Sequence, residues 1–244
     1  MIGRFKHSEN TFYGEVNGAR VTAKGCCEGK TFELSELEVL PPTDPSKIIC
    51  VGLNYHDHAK ELNMETPDEP LIFMKPPSAV IGHGDKIIYP KASQQVDYEA
   101  ELAVVIGKRC RNITADRAND VIAGYTCFND VTARDFQRQD GQWTRAKSFD
   151  TFAPFGPFIS SPDEFDPENA PIKSRINGEL RQDSNTSNLI FDIPTLIEFI
   201  SGIMTLELGD IIATGTPAGV GELQRGDVVE VEIEGIGILR TEVV

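Results

Sequence analysis

The sequence predicts a β-rich α+β fold, divided into a small N-terminal β domain at residues 1–45 and a larger domain at residues 46–244. Most apolar segments are short and rich in β-branched residues, which is typical of strands. Asn17-Gly18 and Asn177-Gly178 each lie between two such segments, and this dipeptide is the strongest short-range signal for a hairpin. Residues 193–202 form the clearest amphipathic helix, with proline near its start and glycine at its end.

The N-terminal domain is predicted from its hairpin and from the linker that follows. The hairpin strands are expected at residues 12–16 and 20–23. Three prolines within residues 41–45 indicate a linker, because proline fixes the backbone and interrupts regular structure. The domain boundary is therefore expected after residue 45.

The larger domain is expected to consist mainly of strands. A continuous apolar run at residues 47–53 is typical of a buried strand. Further strands are expected at residues 71–76, 86–90, 97–107, 122–129, 172–176, 179–182, 227–234 and 237–244. Short helices are expected at residues 54–62, at residues 132–139 and after Thr114, a natural N-cap residue. Residues 64–69 are expected to form a mobile loop after the first of these helices.

Composition argues against several classes of function. The net charge of −15 argues against binding to nucleic acid or to an anionic membrane, although adaptation to a salty cytoplasm would produce the same acidity. The five cysteines lack C-x-x-C spacing, so neither a disulfide framework nor a thiolate zinc site is indicated. The N terminus has no apolar signal-peptide core, and no apolar run approaches the roughly 18 residues of a membrane span. We expect a soluble cytoplasmic protein.

The strand at residues 97–107 carries three carboxylates with alternate spacing. Because side chains alternate between the two faces of a strand, Asp97, Glu99 and Glu101 are expected to share one face. At a separation of ~6–7 Å and an effective dielectric of about 20, each ionised pair repels by roughly 2–3 kcal/mol. A partly buried set of this kind needs a cation. The alternative is a solvated acidic face, on which the repulsion falls to about 0.6 kcal/mol per pair.

A further metal ligand, beside Glu99 and Glu101, is expected after the next strand. Asp130 follows the strand predicted at residues 122–129 and precedes a helix. Together with Glu99 and Glu101 it forms an all-oxygen set, which hard divalent cations prefer. With three carboxylates, magnesium or manganese is favoured over a calcium cage or a zinc site.

Other candidate residues lie on the short helices. His58 and Glu61 are three residues apart on one helical face, as in a general base oriented by a carboxylate, although an incidental surface contact has the same spacing. A zinc site at His56 and His58 is disfavoured, because positions i and i+2 of a helix point apart. Lys147 lies among small and apolar residues rather than in a charge run, and the alternative is an ordinary solvated lysine.

Residues 210–221 are expected to form a strand that opens into a glycine-rich loop. The loop lacks G-x-G-x-x-G spacing and no helix follows, which argues against a dinucleotide oxidoreductase. Its backbone amides and the hydroxyls of Thr214 and Thr216 are instead suited to a small carboxylate.

Six motifs in this order resemble the fumarylacetoacetate hydrolase family, over roughly residues 46–244. They are VGLNYHDHAKE at 51–61, FMKP at 73–76, DYEAEL at 97–102, DVTARD at 130–135, AKSF at 146–149 and TGTPAGVG at 214–221. The resemblance implies a mixed β-roll catalytic domain, usually in a homodimer, with Mg²⁺ or Mn²⁺ bound. Within the family, the sequence is similar to the acylpyruvase, oxaloacetate decarboxylase and hydroxyheptadienedioate isomerase members.

The resemblance also implies roles for individual residues. Glu99, Glu101 and Asp130 match the metal ligands, and Lys147 matches the lysine beside the metal. Arg134, Gln137 and Thr216 match positions that contact the oxygens of the substrate. His58 and Glu61 match the dyad on the lid helix of members that cleave carbon–carbon bonds. No site residue is assigned within residues 1–45.

The expected reaction is hydrolysis of a C–C bond in an acylpyruvate or a fumarylacetoacetate-like 2-oxo acid, through an enolate that the metal and Lys147 stabilise. His58, oriented by Glu61, is expected to deprotonate the attacking water. The same enolate chemistry without water attack gives decarboxylation or tautomerisation of oxaloacetate, or isomerisation of 2-hydroxyhepta-2,4-diene-1,7-dioate. A binding or scaffolding protein that uses the ion only for stability is an alternative of a different class.

Overall fold

The computed structural model describes residues 1–244, except for the side chain of Cys26. The first ten strands are β1 (Ile2–His7), β2 (Asn10–Asn17), β3 (Arg20–Lys24), β4 (Thr31–Glu33), β5 (Glu38–Leu40), β6 (Ile48–Gly52), β7 (Leu71–Lys75), β8 (Val80–Ile81), β9 (Lys86–Ile87) and β10 (Val96–Tyr98). The others are β11 (Ala100–Ile106), β12 (Ile122–Asn129), β13 (Thr132–Ala133), β14 (Ala153–Ser160), β15 (Pro171–Ile176), β16 (Glu179–Asn185), β17 (Ile211–Ala213), β18 (Gly221–Glu222), β19 (Val228–Ile233) and β20 (Gly237–Val243).

The helices are short and few, so the β-rich α+β class is confirmed. They are α1 (His56–Glu61), α2 (Arg134–Asp140), α3 (Thr144–Lys147) and α4 (Ile193–Ile203). Five 3₁₀ segments accompany them, at Gly25–Cys27, Leu34–Glu36, Pro77–Ala79, Ala115–Val121 and Thr186–Asn188. Within the described part of the chain, none of these helices has the length and apolar character needed to span a bilayer.

A mixed central sheet organises the fold, with the strand order β4-β3-β2-β1-β14-β12-β11-β17-β6-β7. Most of its neighbours are antiparallel, whereas β17 and β6 run parallel with Ile211 opposite Ile48. The apolar side chains of β11, β12 and α4 pack into the largest core cluster. Asp192 is the N-cap of α4, and its side chain accepts a hydrogen bond from the Thr195 amide. The helix buries its apolar stripe in that core.

The N-terminal strands join this sheet but have their own core. Strand β1 pairs with β14, with Ile2 opposite Ile159. Phe5, Phe12 and Phe158 pack together in a separate cluster. The hairpin predicted at Asn17-Gly18 is present between β2 and β3. The linker predicted at residues 41–45 leads from β5 to β6.

Two smaller sheets complete the molecule. One has the order β16-β15-β19-β20-β9 and contains the second hairpin, in which Asn177 and Gly178 both have the positive φ angles of a tight turn. The other has the order β13-β10-β18, and its central strand carries Asp97.

The strand predicted at residues 97–107 is interrupted at Glu99, which differs from the expectation of one continuous strand. At this break, side-chain oxygens accept the backbone hydrogen bonds that a neighbouring strand would otherwise accept. The Glu99 amide donates to Asn129 Oδ1 at 3.0 Å, and the Ala100 amide donates to Gln182 Oε1 at 3.0 Å. The break therefore leaves both of these N–H groups hydrogen-bonded.

Three other predicted elements are shorter than expected or differ in type. The helix expected from residue 132 begins at Arg134, because Thr132 and Ala133 pair with β10 as a strand. Thr114 stands at the N-cap position of a 3₁₀ segment rather than an α-helix, and its side chain makes no capping hydrogen bond. The strand expected at residues 86–90 is restricted to Lys86–Ile87.

Candidate active site and metal centre

Three buried carboxylates meet where β11 and β12 lie side by side. Glu99 lies in the break before β11, Glu101 on β11, and Asp130 directly after β12. The register pairs Ala100 with Asn129, and the Asp130 amide donates to the Glu99 carbonyl at 2.9 Å. One carboxylate oxygen from each residue lies within 4.8 Å of the others. The three residues are 0–7% exposed, which excludes the alternative of a solvated acidic face.

Two lysines and an arginine contact two of these carboxylates. Lys147 Nζ lies 2.6 Å from Asp130 Oδ2 and 2.9 Å from Glu99 Oε2. Arg134 Nη2 donates to Glu99 Oε1 at 2.5 Å, and Lys75 Nζ lies 2.5 Å from Asp130 Oδ1. Burial raises the pKa of Glu99, but Lys147 and Arg134 outweigh this and hold that pKa well below its ordinary value.

The third carboxylate, Glu101, has no cationic partner among the described residues. It accepts a hydrogen bond from the Gly215 amide at 2.9 Å. Burial, and then the charges of Asp130 and Glu99, raise the pKa of Glu101 well above its ordinary value. A buried carboxylate without a counter-ion, beside two others, fits a hard divalent cation as the missing positive charge.

Asp97 shares the predicted acidic face with Glu99 but, as in the metal set predicted from the sequence, it is not part of the triad. Its carboxylate accepts from Arg134 Nε at 2.8 Å and from Gln95 Nε2 at 3.1 Å. Arg134 in turn donates from Nη1 to Gln137 Oε1 at 2.6 Å. Asp97 therefore fixes the guanidinium that contacts Glu99.

The His58–Glu61 pair is formed on α1. His58 Nδ1 lies 2.9 Å from Glu61 Oε2, while Glu61 Oε1 accepts a hydrogen bond from the Gly219 amide at 3.0 Å. Asp57 on the same helix accepts from Ser184 Oγ at 2.5 Å. Helix α1 is thus attached both to the glycine-rich loop and to β16.

One cavity of about 450 Å³ brings most of the candidate residues together. Its lining includes His58, Glu99, Glu101, Arg134, Gln137, Lys147 and Thr216. Asp130 is fully buried behind the lining and touches Lys147, and Glu61 touches His58. The cavity can therefore present an ion, an imidazole and hydrogen-bond donors to one small molecule.

The two threonines of the glycine-rich loop have different positions. Thr216 lines the cavity, whereas Thr214 is fully buried and donates its hydroxyl proton to the Leu102 carbonyl at 2.9 Å. The expectation that Thr214 holds a carboxylate is therefore wrong, because its only donor is already used within the protein.

A family model for the C-terminal domain of fumarylacetoacetate (FAA) hydrolase matches residues 47–244. The chain belongs to the fumarylacetoacetate hydrolase family. Its motifs in the glycine-rich loop, on α1 and around the triad lie within the matched region and line or support one cavity. The protein is an enzyme of this family.

Similar proteins in this family differ in their named reactions. The chain superposes with a TM-score of 0.92 on 5-carboxymethyl-2-hydroxymuconate delta-isomerase from Mycobacterium smegmatis, at 43% identity over 100% of this chain and 98% of that one. It is 48% identical over 221 residues to mitochondrial oxaloacetate tautomerase FAHD2B of Bos taurus, covering 86% of this chain and 70% of the relative.

A third similar protein was solved with a metal ion. It is maleylpyruvate hydrolase from Sphingobium sp. SYK-6 in complex with manganese(II) and pyruvate, with a TM-score of 0.84 and 30% identity over 99% of this chain and 98% of that one. Together with the buried triad, this similarity indicates that the protein binds a divalent metal.

Two supporting residues of this family member were missed in the sequence. The sequence predictions place Lys75 only within the strand at residues 71–76, and Gln182 only within the strand at residues 179–182. Lys75 contacts Asp130, and its ammonium also donates to the Val131 carbonyl at 2.9 Å. Gln182 joins Ala100 to Thr216. A lysine at the end of an apolar strand and before proline is a visible signal for Lys75, whereas Gln182 has none.

Proposed function

We propose that the protein is a divalent-metal-dependent hydrolase that cleaves a carbon–carbon bond in a small 2-oxo acid of the acylpyruvate type. The observation that carries this proposal is the presence, in one cavity, of an all-oxygen ion site and an imidazole oriented by a carboxylate. The first is suited to stabilising an enolate, and the second to activating water.

Glu99, Glu101 and Asp130 would hold the ion, Mg²⁺ or Mn²⁺. When bound, the ion supplies a Lewis acid that polarises the 2-oxo group and stabilises negative charge on its oxygen. The similarity to the manganese complex of maleylpyruvate hydrolase supports the choice of metal.

Residues around the triad would bind and orient the acid. Arg134 retains guanidinium N–H groups beyond those given to Asp97, Glu99 and Gln137. With Gln137 and Thr216, which also line the cavity, it would hold the carboxylate oxygens of the substrate. Lys147 has donated two of its three protons to Asp130 and Glu99, and the third remains for the developing enolate.

His58 would carry out the proton transfers. Its Nδ1 faces Glu61, which leaves Nε2 to take a proton from water. The water oxygen attacks the distal carbonyl, the bond between that carbon and the CH₂ carbon breaks, and its electron pair forms the enolate. The water oxygen ends in the released carboxylic acid, and a proton returns to the former CH₂ carbon to give pyruvate.

A second candidate is tautomerisation of oxaloacetate. The named tautomerase and isomerase relatives are 48% and 43% identical to this chain, against 38% and 30% for two named hydrolases. Tautomerisation would use the same enolate without water attack: His58 would take a proton from the CH₂ carbon, and the enolate oxygen would gain one from solvent.

A panel assay tests both candidates. Acetylpyruvate, fumarylpyruvate, oxaloacetate and a hydroxy-dienedioate are each incubated with the protein and Mn²⁺, Mg²⁺ or chelator. We expect metal-dependent release of pyruvate from the acylpyruvates. Faster interconversion of oxaloacetate tautomers with no acylpyruvate cleavage would support the second candidate. If the protein is inactive on the whole panel and chelator lowers its melting temperature, the ion has a purely structural role.

His58→Ala gives the sharper test of the hydrolytic role. We expect at least a 100-fold loss of acylpyruvate hydrolysis, typical for removal of a general base, with Mn²⁺ affinity near that of the wild type. His56→Ala is the matched control, since His56 is an exposed residue of the same helix that does not line the cavity. Full activity of His58→Ala would rule out the proposed base.

A further inference from the structure

The cavity has two ends of different chemistry. The charged end holds Glu99, Glu101, Arg134 and Lys147. Much of the remaining lining is apolar and comprises, among others, Leu62, Met64, Pro67, Leu71, Phe73 and Trp143. A 2-oxo carboxylate occupies only the charged end, so the apolar lining must face another part of the substrate.

A continuous apolar wall leads from the charged end outward. Lys147 Nζ lies 4.9 Å from the centroid of the Phe73 ring, and the Trp143 ring lies 5.2 Å from Phe73 in an edge-on arrangement. Trp143 rests on Gly52, where an added Cβ would lie 2.8 Å from the indole and 3.3 Å from Leu71. The wall thus runs without a polar interruption from Lys147 to Leu71.

The wall ends at a rim of exposed apolar side chains. Leu62 is 49% exposed, Met64 56% and Leu71 49%. Leu62 and Met64 follow directly after α1, the helix that carries His58. Large apolar side chains left in water around the mouth of a cavity are typical of a surface that an apolar ligand covers.

The charges near the apolar end do not favour a second carboxylate. Arg134 and Lys147 are held by the carboxylates of the charged end. Among the described lining residues, Arg138 is the one other arginine or lysine, and it is exposed and donates to Gln95 Oε1 at 2.7 Å. The lining also includes the acidic side chain of Glu65.

We infer that the acyl group of the substrate is an extended apolar chain or an aromatic ring, without a second carboxylate. The inference rests on the proposed function, in which the 2-oxo acid head lies at the charged end. Each methylene that the wall removes from water should tighten binding about fourfold. The substrate class would then differ from the compounds named for the three relatives, 5-carboxymethyl-2-hydroxymuconate, oxaloacetate and maleylpyruvate, each of which carries more than one carboxylate.

Binding of unreactive 2-oxo acids to the Mn²⁺-loaded protein tests this without turnover. Titration calorimetry compares pyruvate, 2-oxobutanoate, 2-oxopentanoate and 2-oxohexanoate. It also compares 2-oxoglutarate with 5-methyl-2-oxohexanoate, in which an isopropyl group replaces the second carboxylate. We expect Kd to fall about threefold to fourfold per methylene, and the isopropyl compound to bind at least tenfold more tightly than 2-oxoglutarate.

Leu71→Ser should reduce the advantage of the isopropyl compound at least twofold while leaving pyruvate binding unchanged. Met74→Ser is the matched control, because Met74 is 50% exposed on the same strand but does not line the cavity. Tighter binding of 2-oxoglutarate, with pyruvate still bound, would overturn the apolar acyl group and leave the proposed function standing. Failure of every 2-oxo acid to bind would overturn both.

Discussion

Gln182 shows how a single buried side chain sets the hydrogen-bonding role of another. Its Oε1 accepts from the Ala100 amide, and its Nε2 donates to the Pro217 carbonyl at 2.9 Å and to Thr216 Oγ1 at 2.8 Å. A backbone N–H can only donate and a carbonyl can only accept, so these partners fix the orientation of the amide. Because Thr216 accepts from Gln182, its own proton is left to be donated into the cavity.

Thr216→Val should therefore weaken the binding of the oxo acid. The loss of a donor to a charged carboxylate is worth about 1.5–3 kcal/mol, which corresponds to a rise in KM of roughly 10-fold to 100-fold. A smaller change in kcat is expected, since the contact is made in both the ground state and the transition state. Steady-state kinetics of Thr216→Val and Thr216→Ser measure this, and the serine variant should restore most of the affinity. An unchanged KM in Thr216→Val would show that the hydroxyl does not contact the substrate.

At the scale of elements, Asp210 joins the starts of two parallel strands. It lies one residue before β17, and its Oδ1 accepts from the Ser46 amide at 3.0 Å and from the Ser46 hydroxyl at 2.7 Å. Its other oxygen pairs with Lys47, one residue before β6, and accepts from the Glu207 amide at 2.8 Å. A fully buried carboxylate thus sets the alignment of β17 beside β6.

Asp210→Asn should lower the free energy of unfolding by about 3 kcal/mol at neutral pH, because it leaves Lys47 without its partner and places an amide against backbone donors. Glu207→Gln is the control. Its ion pair with Arg109 is largely solvated, and the loss should be no more than about 0.5 kcal/mol. Urea unfolding of the three proteins measures both values, and equal effects would contradict the role given to Asp210.

The effect of Asp210→Asn should also depend on pH. Burial raises the pKa of Asp210, but the hydrogen bonds from Lys47, Glu207 and Ser46 outweigh this and lower it below its ordinary value. A carboxyl whose pKa is depressed by folding stabilises the protein above its unfolded pKa, and this stabilisation is lost as the pH falls through the folded value. The difference between wild type and variant should therefore shrink below about pH 4.

At the scale of the whole molecule, the N-terminal strands share a sheet with the catalytic region but not its core. Phe5 is fully buried, and its ring lies 6.0 Å from Phe12 and 6.2 Å from Phe158. Of these residues, only Phe158 comes from beyond the linker. The linker therefore marks a change of core rather than a break in the sheet.

Phe5→Ala should loosen the N-terminal strands selectively, at a cost of about 3–5 kcal/mol to that unit. Amide hydrogen exchange should speed up in β1 to β5 while β11 and β12 keep their protection and Mn²⁺ still binds. Phe128→Ala is the matched control, because Phe128 is equally buried but lies in a core cluster with β6 and β11. Loss of protection throughout the chain in Phe5→Ala would show one cooperative unit.

The sequence predicted much of the fold because local chemistry was sufficient for it. Both Asn-Gly hairpins, the helix at residues 193–202 and most strands follow from turn residues and periodicity. The alternation of Asp97, Glu99 and Glu101, with Asp130 after the next strand, led to the triad that the structure contains. These signals lie within a few residues of each other, so the sequence alone displays them.

Contacts between distant parts of the chain decided the rest. Strand periodicity placed Asp97 beside Glu99, but it did not reveal that Arg134 binds both of them. Nor did it show that Asn129 and Gln182 allow the strand to break at Glu99. The Thr214 hydroxyl likewise donates to the carbonyl of a distant residue, Leu102, and not into the cavity. A buried polar group takes whichever partner the packed chain brings near it, since leaving it unpaired is costly. The sequence by itself thus determined the family, most strands and the three carboxylates proposed to hold the ion, and only the tertiary structure decided which side chains hold those carboxylates in place.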